Sequence, residues 1–446
     1  MFRKLSRAFL ILLISLGVSI QTGLVANAAP QVIEKGPCKR IGQVSQVKKI
    51  KFVCKKVGGK TVWIKAASKK SVSKSTPVSD TSEANENRNT NQSVGEPTEG
   101  GACTPNSKLT LGFAIKPGFR IYLRCDVSTS KYVPYEQIAT PEPEMKTIED
   151  LYAYPAYFHV AWKKVRDQAE GNFVVPVNVN VRVGPSTTFY NTNIQETIKR
   201  ATTLYRNYPQ PKKFELVAYN FDDIAWAENE VRKIRDQQGV IDSVRSFCPS
   251  RELCTTAGAL GILNDVGLIV AASRSGSDFY FTSGGLDIHE YTHLVQSQVG
   301  SKGRYEPSKG PCWFQEAQAM FNGVAAASKE FAEYKGLRNW YISQGASGPY
   351  AEPQNILDYL NENLDKSCSF GDQKIARFGY SVGALIVEAL TAIHGPDASM
   401  QVFDELGKGK SFEEAFEISY KAPIGKVLKE VAPLIAQQFF LRLGTG

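Results

Sequence analysis

The chain has 446 residues, 42% hydrophobic and 22% charged, with a formal net charge of +9. At about 100–200 residues per domain this length predicts two or three folded units, and the hydrophobic fraction excludes a wholly disordered chain. Its 36 Gly and 22 Pro are ordinary contents and exclude a collagen-like repeat.

The charge is unevenly placed. Arg3, Lys4 and Arg7 are the only charges in residues 1–28, whereas residues 29–74 hold 13 Lys/Arg against the single acid Glu34. Taking +3 and +12 from +9 leaves −6 for residues 75–446. The bulk of the chain is mildly acidic, and the basicity belongs to a short N-terminal piece.

Residues 1–28 read as a secretory signal peptide. Arg3, Lys4 and Arg7 form its charged end, Phe9 to Val18 its apolar core, and Ala26-Asn27-Ala28 a small-x-small cleavage site. The apolar core is short for a bilayer span. No second long apolar run follows, so no transmembrane helix is expected once the signal is removed. The expected location is secreted or cell-envelope associated. The 8 Cys suit disulfides in an oxidising compartment. Pairing of sequence neighbours suggests Cys38–Cys54, Cys103–Cys125, Cys248–Cys254 and Cys312–Cys368, although eight cysteines leave many other connectivities open.

Residues 29–66 read as a small basic unit stapled by cysteines. Lys51-Phe52-Val53-Cys54 alternates like a strand, Gly58-Gly59 turns, and Thr61-Val62-Trp63-Ile64 returns. A hairpin this small buries too little apolar area to stand without its staple. The basic segment 35–74 suits an anionic cell-envelope polymer. Its aromatics, chiefly Phe52 and Trp63, are too sparse for base stacking, so no specific nucleic-acid binding is expected. Residues 67–100 are polar and free of aromatics and read as a disordered linker. Residues 101–140 resemble a second small Cys-stapled β unit.

From residue 145 to 446 the pattern is that of one larger domain. Helical periodicity runs from Thr147 to Gln168, Asn193 to Tyr205 and Asp222 to Gln237. Strands are expected at Asn172–Val183, Phe214–Tyr219 and Gly267–Ala272. Beyond that the pattern is almost wholly helical, near 285–299, 312–327, 354–363, 379–393, 397–406, 411–419 and 423–441. A mixed-sheet lobe followed by a helical lobe is an α+β arrangement.

His289-Glu290-Tyr291-Thr292-His293 matches H-E-x-x-H and uses two of the chain's 4 His. Residues four apart share a helix face, so His289 and His293 can converge on one metal ion. Glu290 then stands where it can take a proton from a metal-bound water. Catalytic zinc generally takes a third protein ligand. A histidine six residues past His293 is absent, since position 299 is Val. Glu316 opens a helical pattern 23 residues after His293, just behind Pro311, and is the candidate.

HEYTH followed by WFQEAQAMF resembles the gluzincins, zinc peptidases with thermolysin-like and aminopeptidase-like catalytic domains. The specific motifs lie within about 285–395, and the general likeness spans roughly 170–441. The resemblance implies a Zn2+ cofactor held by His289, His293 and Glu316, with Glu290 as general base and acid. It also implies an H-E-x-x-H helix at the junction of the two lobes. Phe378-Gly379-Tyr380 resembles the family's later helix and implies that Tyr380 donates to the oxyanion. The sequence departs from the pattern at Ala317, where Gly is common, and at Met320, where thermolysin-like enzymes carry an acid that orients a ligand. The Gly-x-Met-Glu-Asn strand of aminopeptidases is absent; Ala257-Gly258-Ala259-Leu260 is a faint echo. Without its Glu no anchor for a substrate amino terminus is evident, which favours endopeptidase action on a peptide or protein substrate.

Two other readings stand beside this one: a non-catalytic envelope-binding protein on the same scaffold, and a zinc hydrolase of a non-peptide substrate. Of the remaining histidines, His394 reads as a cap on the last turn of its helix, and His159, among aromatics, as a partly buried core residue. Tyr291 and Tyr305 are expected to line the site.

Overall fold

The computed structural model describes residues 44–47, 50–57, 60–65, 99–103, 111–116, 119–126, 129–172, 177–272, 279–301, 310–345, 352–366, 368 and 377–440. The signal peptide, the Cys38–Cys54 pairing, nearly all of the 67–100 linker and Tyr305 lie outside them. The chain forms two compact units, Met1–Asn91 and Gln92–Gly446.

In the first unit β1 (Val44–Val47), β2 (Ile50–Val57) and β3 (Lys60–Lys65) form an antiparallel sheet in that order. The two strands expected from the alternation lie within β2 and β3. Val53 pairs with Val44 on one side and with Ile64 on the other.

The second unit opens with another antiparallel meander, β4 (Leu111–Lys116), β5 (Phe119–Asp126) and β6 (Lys131–Pro134). The disulfide Cys103–Cys125 ties the preceding segment to β5. Two helices follow, α1 (Ile148–Ala153) and α2 (Tyr157–Ala169), where the periodicity predicts one. The break has a local cause. Tyr154 precedes Pro155 and adopts a non-helical backbone, φ −127° and ψ 81°, as the residue before proline tends to do. Thr147 and Asp150 close a capping box at the start of α1.

The main sheet is built from β7 (Asn178–Val183), α3 (Ile194–Leu204), β8 (Lys213–Tyr219), α4 (Ile224–Ile234), α5 (Gln238–Phe247), β9 (Ala257–Leu263) and β10 (Val266–Ala272). Its order is β7-β8-β10-β9. β7, β8 and β10 are parallel, and β9 is antiparallel to β10. Central β8 and β10 are buried almost throughout, which is why they read as continuous apolar runs. Their residues still divide by face. Val217, Tyr219, Leu268 and Val270 pack with Val231, Ile241 and Val244 of α4 and α5. Phe214, Leu216, Ile269 and Ala271 belong to the larger core on the other face. The β9–β10 hairpin turns through Asn264 and Asp265, at φ 51° and 64°, a conformation these two side chains tolerate.

The rest of the described chain is helical: α6 (Phe279–Thr282), α7 (Gly285–Gly300), α8 (Cys312–Ala327), α9 (Phe331–Gly345), α10 (Pro353–Glu362), α11 (Ala384–His394), α12 (Asp397–Gly407), α13 (Phe412–Tyr420) and α14 (Ile424–Phe440). The molecule therefore combines a four-stranded mixed sheet with an extensive helical layer. The sequence reading assigns no element to α5, β9 or α9. β9 carries Gly258 and Gly261, which depress strand propensity. α9 carries apolar and aromatic residues around its circumference, which blurs a 3.6-residue period. No described helix is long and apolar enough to cross a membrane.

α8 is the central helix. It packs against α2, α7, α11 and the turn 379–383, and every one of its residues except Glu316 is buried. Close by, α9 and α11 share a buried ion pair. Arg338 donates from Nε and Nη2 to the two oxygens of Glu388, 2.7 Å each. Tyr334 and Tyr341 donate to the same carboxylate, and Arg338 also reaches Gln438 Oε1 at 2.9 Å. Gln438 in turn donates to the Tyr135 hydroxyl, tying α14 to the residue just past β6. Breaking such a pair from one side strands a buried charge. Arg338→Met is expected to lower stability by about 3–5 kcal/mol, measured as a fall in the urea midpoint at unchanged slope.

Candidate metal centre

α7 carries the H-E-x-x-H residues. Its start is pinned from the side: buried Asp287 accepts from the Tyr190 hydroxyl at 2.9 Å and from Asn191 Nδ2 at 2.7 Å. One turn on, His289 and His293 lie on one face, rings crossed at 80° with centroids 4.8 Å apart. α8 then crosses α7 and presents Glu316 to both rings. His289 Nε2 and His293 Nε2 are 3.1 Å apart, and each is 3.4 Å from Glu316 Oε2.

Close approach of the two helices depends on a missing side chain. A Cβ on Gly323 would stand 2.6 Å from the Gly285 carbonyl oxygen and 3.2 Å from His289 Cβ. On the other side of α8, a Cβ on Gly379 would meet Trp313 O at 2.8 Å and Glu316 Cβ at 2.9 Å. Gly379 belongs to a π-helical turn, Gly379–Gly383, that runs into α11. Such turns recur at functional sites, and this one carries Tyr380. Gly383 lies directly over Ala317, so α8 keeps its Ala because the glycine stands on the opposing turn. Tyr205 bridges the helices from α3, 2.7 Å from Thr292 Oγ1 and accepting from Asn322 Nδ2 at 2.9 Å. Cys312, at the start of α8, is disulfide-bonded to Cys368, and its N–H donates to Lys366 O at 2.7 Å.

The three donors fit a tetrahedral divalent ion. Ligands about 2.0–2.1 Å from a tetrahedral zinc stand about 3.3–3.4 Å from one another, and the separations here are 3.1, 3.4 and 3.4 Å. Glu316 Oε2 is buried without a hydrogen-bond partner, an oxygen suited to a cation. Two imidazoles and one carboxylate are a donor set that zinc accepts. Cys312 and Cys368 stand near Glu316 as well, but their sulfurs are joined to each other and are not available as thiolates.

The electrostatics follow from burial and charge. Burial opposes charge on Glu316, yet the two histidines hold its carboxyl well below the ordinary carboxylate range. Burial also opposes an imidazolium at His293, but Glu316 raises it to about 9. Glu290 is buried, and that burial raises its carboxyl, partly countered by the histidines and by a backbone hydrogen bond from Ala259 on β9. Tyr380 stands near Glu316 and Glu290, and its ring centroid is 5.7 Å from that of His289. Burial, then the charges of Glu316 and Glu290, push its phenol up, so it stays a neutral donor.

The structure thus gathers His289, Glu290, His293, Glu316 and Tyr380 in one place. It corrects two sequence expectations. Tyr291 does not line the site: it is fully buried, its hydroxyl donates to Gln210 Oε1 at 2.9 Å, and its ring faces Phe214 of the sheet. His394 does not cap α11. Lys164 reaches the carbonyls of Ala392 and Ile393 at 2.7 and 3.3 Å, while the His394 ring lies against Tyr420. His159 is partly buried among Trp162 and Phe331, as its aromatic surroundings suggest, and pairs with Glu142 at 2.5 Å. The sequence reading assigned no role to Gln296, whose Oε1 lies 2.8 Å from His293 Nδ1. Its place three residues past His293 was the available signal.

Gly323→Ala is expected to cost about 1–3 kcal/mol through overpacking, because a Cβ there pushes apart the helices carrying the donors; thermal unfolding checks it. No family model, curated protein or solved structure matches the chain.

Proposed function

We propose that the protein is an exported zinc-dependent metallopeptidase of gluzincin type. The observation that carries this reading is the triangle of His289 Nε2, His293 Nε2 and Glu316 Oε2, at tetrahedral spacing with Glu290 beside it. α7 packs on β9 of the sheet and on α8 of the helical layer, which supports a gluzincin-like junction between two lobes.

His289, His293 and Glu316 would hold the metal, which when bound supplies a Lewis acid and an acidified water. Glu290 would take up a proton from the attacking water and deliver it to the leaving amine. Burial raises its proton affinity, and the Ala259 backbone and the histidines keep the charged form accessible. Tyr380, a neutral phenol, donates to the developing oxyanion.

A peptide substrate is favoured over other hydrolysable bonds by β9. It is the edge strand of the main sheet, and it packs on α7, the helix that carries Glu290. An extended peptide added along such an edge would run beside the catalytic carboxylate. The basic segment 35–74 would hold the enzyme against an anionic cell-envelope polymer. Three disulfides among the described residues support folding in an oxidising, extracytoplasmic compartment.

The mature protein is expected to retain close to one zinc per chain and to cleave casein or a peptide library in a chelator-sensitive manner. Glu290→Gln is expected to keep the zinc and lose activity by about 10²–10⁴-fold, whereas His293→Ala loses both. A wild-type protein free of zinc, or a Glu290→Gln variant as active as wild type, would overturn the proposal.

A further inference from the structure

We infer that Gln296, Gln318 and Ser399 form a one-way hydrogen-bond relay that positions His293 as a metal ligand. The inference rests on the metallopeptidase reading and adds the residues that prepare one of its ligands.

The relay starts from an oxygen that can only accept. Gln296 Nε2 lies 3.0 Å from the backbone carbonyl of Gln315, so the amide must turn its NH2 group that way. Its other N–H then meets Gln318 Oε1 at 2.8 Å. Gln296 Oε1 is thereby left facing His293 Nδ1 at 2.8 Å, and that nitrogen must be the donor. A neutral imidazole carrying its proton on Nδ1 has its lone pair on Nε2, the atom turned toward His289 and Glu316.

The far end is oriented by the same logic. Gln318 Nε2 donates to Ser399 Oγ at 2.8 Å, and the Ser399 hydroxyl donates to the Pro396 carbonyl at 3.2 Å. Every donor in the series points away from the metal centre and toward the start of α12. Gln296, Gln318 and Ser399 are each at most 1% exposed. Water cannot replace a lost partner there, so a break at any point leaves an unsatisfied polar group.

Met320 occupies the position at which a ligand-orienting acid is expected, and it is buried; His289 Nδ1 is buried without a hydrogen-bond partner. For His293 the orienting group comes from the next turn of α7 and is braced by α8 and α12. A neutral amide fixes the ring and its tautomer without adding negative charge to a site that already contains Glu290 and Glu316.

The test is zinc affinity of the full mature chain, measured by chelator competition, with stability followed in parallel. Gln296→Met removes the acceptor while keeping the length of the side chain. It is expected to weaken zinc binding by about 10–100-fold. Val295→Ala, on the same turn and fully buried but not directed at a ligand, is expected to lower stability and leave zinc affinity unchanged. In the zinc-bound wild type, nitrogen NMR is expected to show His293 protonated at Nδ1 with a slowly exchanging proton. Ser399→Ala, the mildest break, is expected to weaken zinc binding severalfold and serves if Gln296→Met does not fold. Wild-type affinity in the Gln296 or Ser399 variant, an equal loss in Val295→Ala, or a His293 protonated at Nε2 would overturn the relay alone. Absence of zinc from the wild type would overturn the metallopeptidase reading and the relay together.

Discussion

The contact between α7 and α8 is the constraint on which the candidate site depends. Two histidines on one helix can share a metal, but the third donor must come from elsewhere and arrive within about a tetrahedral edge. Gly323 lets α8 approach the backbone of α7, and that approach brings Glu316 Oε2 to 3.4 Å from both imidazoles. The same approach confines a carboxylate in a largely dry site. An isolated buried carboxylate is costly, so the adjacent histidines, and a cation where one binds, are part of what makes this position tenable for an acid.

Burial shapes the polar architecture around it. α8 is apolar over most of its surface, and its polar residues are each committed. Gln318 joins the series that ends at His293, Asn322 reaches Tyr205, and Glu316 faces the histidines. Arg338 and Glu388 obey the same rule farther away, with both charges paired and the carboxylate further satisfied by two tyrosines. At the Arg338–Glu388 pair the buried charges survive because each neighbour supplies a matching partner, whereas at the candidate site Glu316 Oε2 and His289 Nδ1 stay buried without a hydrogen-bond partner.

Much of this was legible in the sequence where the cause is local. HEYTH at four-residue spacing, the apolar β8 and β10, and the bounds of α8 and α12–α14 all follow from short-range patterns. Elements were missed where the local signal conflicts with the final state. Glycines hide β9, apolar residues on all sides hide the period of α9, and Pro155 splits a helix that periodicity would run through. The antiparallel edge strand β9 therefore emerged only with the fold, although it packs on the helix that carries Glu290.

By itself the sequence determined the chemistry available: two imidazoles on one helical face, a carboxylate between them in the motif, and an acid 23 residues on. Helical periodicity is a property of the backbone over a few residues, so these relations need no tertiary information. Tertiary structure alone decided the rest. It set the distance from Glu316 to the histidines, turned Tyr291 toward the sheet and Tyr380 toward Glu316, and placed Gln296 against His293. Those outcomes depend on how far apart two helices lie and how they are rotated. Absent side chains such as those at Gly323 and Gly379, together with the packing of distant segments, determine both.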